Sequence, residues 1–121
     1  MCLFCDIIES KIPSYTLYED EVVKCFLDLN QECLGHTLVV PKVHTLDVTT
    51  IDNNTLLHVF DVAKLLEDRI TNKLKCDGFS LMINSGNAQD IKHFHMHIMP
   101  KYLNKQENMD MDKLYSILKE D

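Results

Sequence analysis

The spacing of apolar residues changes period several times along this 121-residue chain, and each change predicts an element. Tyr15 to Glu19 and Val22 to Leu29 read as two strands around the acidic turn Glu19-Asp20-Glu21. Thr37 to Val40 is a compact apolar strand that ends at Pro41, which has no N–H to give to a ladder. From about Asp52 to Lys75 the period becomes helical. Leu56, Phe60, Ala63, Leu66, Ile70 and Leu74 recur at three- and four-residue steps, opposite a polar face of Asp61, Lys64 and Asp68. Asp52 supplies an N-cap, and Gly78 follows the end. Phe79 to Asn84 is the next strand, and the polar loop Ser85 to Asp90 leads into a final strand closed by Pro100. Near the termini, Cys5 to Ser10 makes one helical turn before Pro13, and Met109 to Lys119 makes a small amphipathic helix around Leu114 and Leu118. Strands, one long helix and then strands predict an α+β fold with a mainly antiparallel sheet. With no linker or repeat, residues 1–121 read as a single domain.

The last strand carries the strongest chemical signal. His93-Phe94-His95-Met96-His97 alternates three imidazoles with apolar side chains. As a strand it would send all three rings to one face, neighbours about 7 Å apart, and would bury Phe94, Met96 and Ile98 on the other. Three imidazoles so close cannot all be charged, so some are neutral near pH 7 and available as nucleophile, base or metal ligand. His95, in the middle, is the best-placed nucleophile: a neutral imidazole attacks phosphorus and splits one hard step into two. His93 and His97 can orient it, bind phosphate oxygens or protonate a leaving group. The competing readings are a structural metal site or satisfied core histidines, but burying three imidazoles needs three sets of partners.

Composition narrows the rest. A net charge of −7 argues against binding nucleic-acid polymers, which would need a basic stripe. No apolar run is long enough for a membrane span, and no signal-peptide pattern is present. Five cysteines, an odd number, fit a reducing, cytoplasmic setting with thiols free or on metal. Cys2-Leu3-Phe4-Cys5 has the spacing of a zinc knuckle, although CxxC is half a site and also fits a redox pair or coincidence. Completing a tetrahedral site needs two further ligands, for which His44 and His93 are candidates. Cys25 reads as a small core residue, while Cys33, Cys76 and an exposed His58 show no partner pattern.

With these motifs in place, the chain is identified as resembling the histidine triad (HIT) family, in a bacterial-type branch. The resemblance covers Cys2 to about Tyr102. It rests on ordered blocks: Phe4-Cys5-Asp6-Ile7-Ile8 with Ile12-Pro13, Tyr18-Glu19-Asp20, Phe26-Leu27-Asp28, Gly35 through Lys42, Asn84-Ser85-Gly86, and Gln89 through Pro100. It implies a HIT-like fold, a five-stranded antiparallel sheet carrying one long helix, usually paired as a homodimer. It also implies binding of a purine nucleotide, an AMP or GMP derivative, and cleavage at the α-phosphate. By motif position His95 matches the nucleophile, and His93, His97 and His36 match its supporting histidines. Asp28 matches the carboxylate that holds the ribose, and Asn84 and Gln89 match phosphate and leaving-group contacts. Leu29 and Ile7 match the apolar residues around the base. The CxxC-bearing relatives, hexose-phosphate uridylyltransferases among them, place zinc where Cys2, Cys5, His44 and His93 stand. Four protein ligands would make that zinc structural.

The chain departs from the family where Ala88-Gln89-Asp90 replaces the usual Gly-Gln-Ser or Gly-Gln-Thr. A carboxylate at Asp90 would repel a phosphate. The leading expectation is a hydrolase of nucleoside phosphoramidates or related nucleoside-monophosphate esters, working through a nucleotidyl-histidine. It needs no organic cofactor, and no magnesium site is evident in the pattern. The alternatives are a dinucleoside polyphosphate hydrolase or nucleotidyl transferase, and a nucleotide-binding regulatory protein with little turnover.

Overall fold

The fold is α+β, and its sheet is buried on both faces where the histidines lie. The structure, a computed structural model, describes residues 2–119. Helix α1 (Leu3–Ile8) is followed by strands β1 (Thr16–Glu19), β2 (Val23–Leu27) and β3 (Thr37–Pro41). The long helix α2 (Asn53–Leu74) then leads to β4 (Gly78–Ile83), a 3-10 turn at Gly86–Ala88, β5 (Met96–Lys101) and α3 (Met111–Leu118). The five strands form one antiparallel sheet in the order β1-β2-β3-β5-β4. Strand β5 thus slots between β3 and β4, which the long helix connects. Among the described residues no helix is long and apolar enough to cross a membrane.

The two faces carry different cores. On one, Val59, Val62, Ala63, Leu66 and Ile70 of α2 pack with Cys25, Val39, Phe94, Met96 and Ile98. On the other, Phe4 and Ile7 of α1 pack with Phe26, Leu38 and Val40. Phe94, Met96 and Ile98 are fully buried, so their alternation with the histidines gave their face correctly. Strand β2 is buried at every position, including Lys24, whose Nζ donates to the Ile7 carbonyl (2.9 Å) and ties down the end of α1. Helix α2 is capped by Asp52, whose carboxylate accepts from Asn54 and Thr55 N–H groups. Gly35 takes φ +93°, and a Cβ there would meet Leu74 Cδ1 at 2.9 Å, so the approach to β3 requires glycine.

Several expectations need correction. The histidine segment is not one continuous strand: β5 starts at Met96, and His93 to His95 are irregular backbone. There the Phe94 N–H donates to the Thr45 carbonyl (2.6 Å), a loop partner rather than a ladder partner. Pro100 does not close the strand but pairs opposite Phe79 within it. Pairing with β3 stops at Ile98, which leaves β5 a free side for a residue without an N–H. Strand β2 ends at Leu27, two residues early, because the chain turns at Asp28. Phe60 is 40% exposed although it shares the helical period, and Val59 and Val62 are buried in its place. His58 is not simply exposed: its Nε2 lies 2.7 Å from Asp20 Oδ2. Burial opposes ionisation of Asp20, but hydrogen bonds from Val23, His58, Val22 and Tyr18 prevail and hold its carboxyl well below the usual range.

Candidate active site

Four of the predicted residues converge on the α1 face of the sheet. His97 enters from β5, His95 from the irregular backbone just before it, and His36 and Asp28 from the two ends of the β2–β3 connection. The ring centres of His95 and His97 are 4.9 Å apart, and those of His36 and His97 are 5.1 Å apart. His36 is 1% exposed, His95 6% and His97 9%.

Hydrogen-bond partners settle the tautomers. A carbonyl only accepts, so His95 Nδ1, 2.8 Å from the His93 carbonyl, carries the proton and leaves Nε2 bare. His36 Nδ1 likewise donates to the Asn30 carbonyl (3.1 Å). Its Nε2 therefore accepts from Nδ1–H of His97 at 2.9 Å, so neutral His97 also presents a bare Nε2. Burial lowers the basicity of His95, against the His93 bond and the charges of Asp28 and Asp90. His97 is pushed down to about 4, by burial first and then by the neighbouring His95 and His36. His95 and His97 are thus held as neutral imidazoles, each with a bare Nε2 on offer.

Asp28 stands at the rim. Its Oδ1 accepts from the Asn30 N–H (2.9 Å), and its Oδ2 lies 3.6 Å from His36 Nε2. Gln31 stitches this loop together: Nε2 donates to the carbonyls of Asp28 (2.6 Å) and His36 (2.8 Å), and Oε1 accepts from Gly35 N–H (2.8 Å). No spacing signals that brace, since a lone glutamine in a loop has no pattern to distinguish it.

The remaining predicted residues are placed less uniformly. Leu29 is 75% exposed beside Asp28, whereas Ile7 is 7% exposed and sits in the α1 core. Asn84, half-buried, follows the last residue of β4. Gln89 is buried, with Nε2 donating to the Leu46 carbonyl (2.7 Å) and Oε1 left without a hydrogen-bond partner. Asp90 is exposed and lines a cavity of about 510 Å³ with Cys2, Leu3, His44, Ile91 and Lys92.

His93 points elsewhere. Its Nδ1 lies 3.4 Å from Cys2 Sγ and 3.6 Å from Cys5 Sγ, and Cys5 Sγ lies 3.3 Å from His44 Nδ1. The four donor atoms all fall within 4.8 Å of one another. Tetrahedral zinc at ordinary bond lengths separates sulfur from nitrogen by roughly 3.6 Å, so the set fits the metal. The second ligand shell fits too: His93 Nε2–H donates to the Pro41 carbonyl (2.8 Å), which leaves Nδ1 unprotonated toward the thiols. Both nitrogens of His93 are then engaged, and neither faces the cleft. Without metal, burial and the neighbouring Cys2 raise the Cys5 thiol to about 11, so a bound metal must displace its proton.

One aromatic residue missed in the sequence links the two clusters. Phe4, between the cysteines on α1, sets its ring edge-on against His95 (4.9 Å) and His93 (5.9 Å). Its position inside CxxC was the available signal.

A family model for the HIT domain matches residues 9–104. The chain is 36% identical to an uncharacterized HIT-like protein of Methanocaldococcus jannaschii, over 98% of this chain and 99% of that one. It is 33% identical to an adenosine 5′-monophosphoramidase of Saccharomyces cerevisiae, over 98% of this chain and 79% of that one. Among solved structures it is similar to a zinc-bound histidine triad family protein from Mycobacterium smegmatis. That likeness has a TM-score of 0.88 at 31% identity and covers 97% of this chain and 89% of that one. The chain therefore belongs to the HIT family. Cys2 and Cys5 precede the matched span, so the metal cluster rests on this structure's own geometry.

Proposed function

We propose that the protein is a nucleotide hydrolase that cleaves nucleoside 5′-phosphoramidates, or related nucleoside-monophosphate esters, at the α-phosphorus. The observation that carries this is the bare Nε2 of His95, held in that tautomer by the His93 carbonyl in a buried, low-basicity setting. The similarity to a yeast adenosine 5′-monophosphoramidase supports the reaction type.

In this reading Asp28 Oδ2 holds the ribose hydroxyls, with Leu29 and Ile7 near the base and Asn84 and Gln89 toward the phosphate and leaving group. His95 Nε2 forms a bond to the α-phosphorus as the bond to the leaving nitrogen breaks, and the departing amine takes its proton from solvent water. Water then attacks the nucleotidyl-histidine. His97 Nε2 accepts its proton, and the bond to His95 breaks to release the nucleoside monophosphate. Hydrogen-bond donors around the phosphate stabilise the developing charge. Cys2, Cys5, His44 and His93 would hold a zinc whose role would be structural, tying α1 to the backbone whose carbonyl orients His95.

We also assign a homodimer. Strand β4 is an open sheet edge, Leu81 on it is 40% exposed, and α2 exposes Leu57, Phe60 and Leu65. The five free thiols suit the cytoplasm. A second reading, nucleotide binding with little turnover, draws on Asp90, whose exposed carboxylate acts on both His95 and His97. Hydrolysis of adenosine 5′-phosphoramidate by native protein and by His95→Ala, with a dinucleoside polyphosphate alongside, tests the proposal. Release of AMP from the phosphoramidate by native protein alone is expected. Tight AMP binding without turnover of either substrate would favour the second reading.

A further inference from the structure

Beside the cysteine cluster, the described residues contain one other convergent set of metal-ligating atoms, formed by Asp28, His36 and His97. The donors are prepared individually. His36 presents a bare Nε2 because its Nδ1–H is committed to the Asn30 carbonyl. Asp28 presents Oδ2 because Oδ1 is taken by the Asn30 N–H. His97 presents Nδ1, 2.9 Å from His36 Nε2, and the Asp28 oxygen lies 3.6 Å from that same Nε2. Two cis nitrogens on an octahedral cation at about 2.1 Å would be roughly 3.0 Å apart, close to the spacing found.

We propose that Asp28, His36 and His97 form a second metal site, a two-histidine, one-carboxylate face for a first-row transition cation. Occupancy of this face would reversibly block the cleft. Two imidazole ligands favour nickel, cobalt, zinc or copper over magnesium or calcium. The cation takes the place of the proton between the two rings, and His97 carries that proton on Nε2 instead. Only three protein ligands are present, so the remaining positions open to water, unlike the closed set of four at the cysteines. The site engages Asp28 and His97 together. On the nucleotide function proposed above, on which this consequence rests, a bound cation and a bound nucleotide exclude each other.

Zinc-loaded protein, with one zinc per chain, is titrated with nickel by equilibrium dialysis while released zinc is measured. One further equivalent of nickel without zinc release is expected. Asp28→Asn and His97→Asn, each checked for native melting, should weaken that equivalent by about ten-fold or more. No second equivalent, nickel uptake matched by zinc release, or undiminished binding in both variants would overturn the site. AMP should compete with nickel. A second equivalent that persists in saturating AMP would support the metal site while counting against the nucleotide reading.

Discussion

The same five residues, His93 to His97, serve two regions built on opposite principles. At the cysteine cluster every donor is used: His93 gives Nδ1 toward the thiols and Nε2–H to Pro41. In the neighbouring cleft His95 and His97 each keep Nε2 uncommitted, because His95 spends only Nδ1 on the His93 carbonyl and His97 spends only Nδ1 on His36. A full set of partners makes a scaffold, and an incomplete set makes a place for chemistry. The two regions are joined by Phe4 and by the His93 carbonyl, so the scaffold sets the tautomer and orientation of the reactive ring.

The division can be broken most severely at His95. His95→Ala should lower kcat on adenosine 5′-phosphoramidate by roughly 10⁴-fold or more, with zinc content and AMP affinity close to native. Steady-state kinetics and metal analysis read both. The next effect comes from the scaffold: Cys5→Ser should lose zinc and lower the melting temperature by roughly 10 °C. Its activity should fall through displacement of Phe4 and His93, although His95 is intact. Native activity in the metal-free variant would separate the regions.

Acid should sharpen the contrast. His97 is neutral in the fold with a value near 4, against 6.5 in the unfolded chain. Between those values the unfolded state binds more protons, so His97's contribution to stability is present above about pH 6.5. It is lost as pH falls toward 4. Denaturant unfolding at pH 7 and 5 should show this loss, and His97→Asn should flatten it. The smallest change is at the rim: Asp90→Ser should raise kcat/KM several-fold on a dinucleoside polyphosphate, whose leaving group is anionic, and change phosphoramidate turnover less. Equal effects on both substrates would remove Asp90 from leaving-group selection.

Much of this was legible in the sequence where the information is local. Alternation placed Phe94, Met96 and Ile98 in the core, Asp52 announced the cap of α2, and Cys2 to Cys5 announced half a metal cluster. The parts that were not legible depend on partners distant in the chain. His93 leaves its neighbours because its ring bonds to Pro41 at the end of β3, and Phe94 beside it to Thr45 in the loop that follows. Phe60 follows the helical period yet stays exposed, because the sheet covers only the arc at Val59, Val62 and Ala63. His58 finds Asp20 and Gln31 braces Asp28 through contacts that no spacing encodes.

The most direct test of this division of labour is to quench native protein during turnover of adenosine 5′-phosphoramidate and locate the nucleotidylated residue by mass spectrometry. The account predicts a transient adduct on His95 and none on His93 or His97. Turnover without an adduct, or an adduct on either neighbouring histidine, would contradict it.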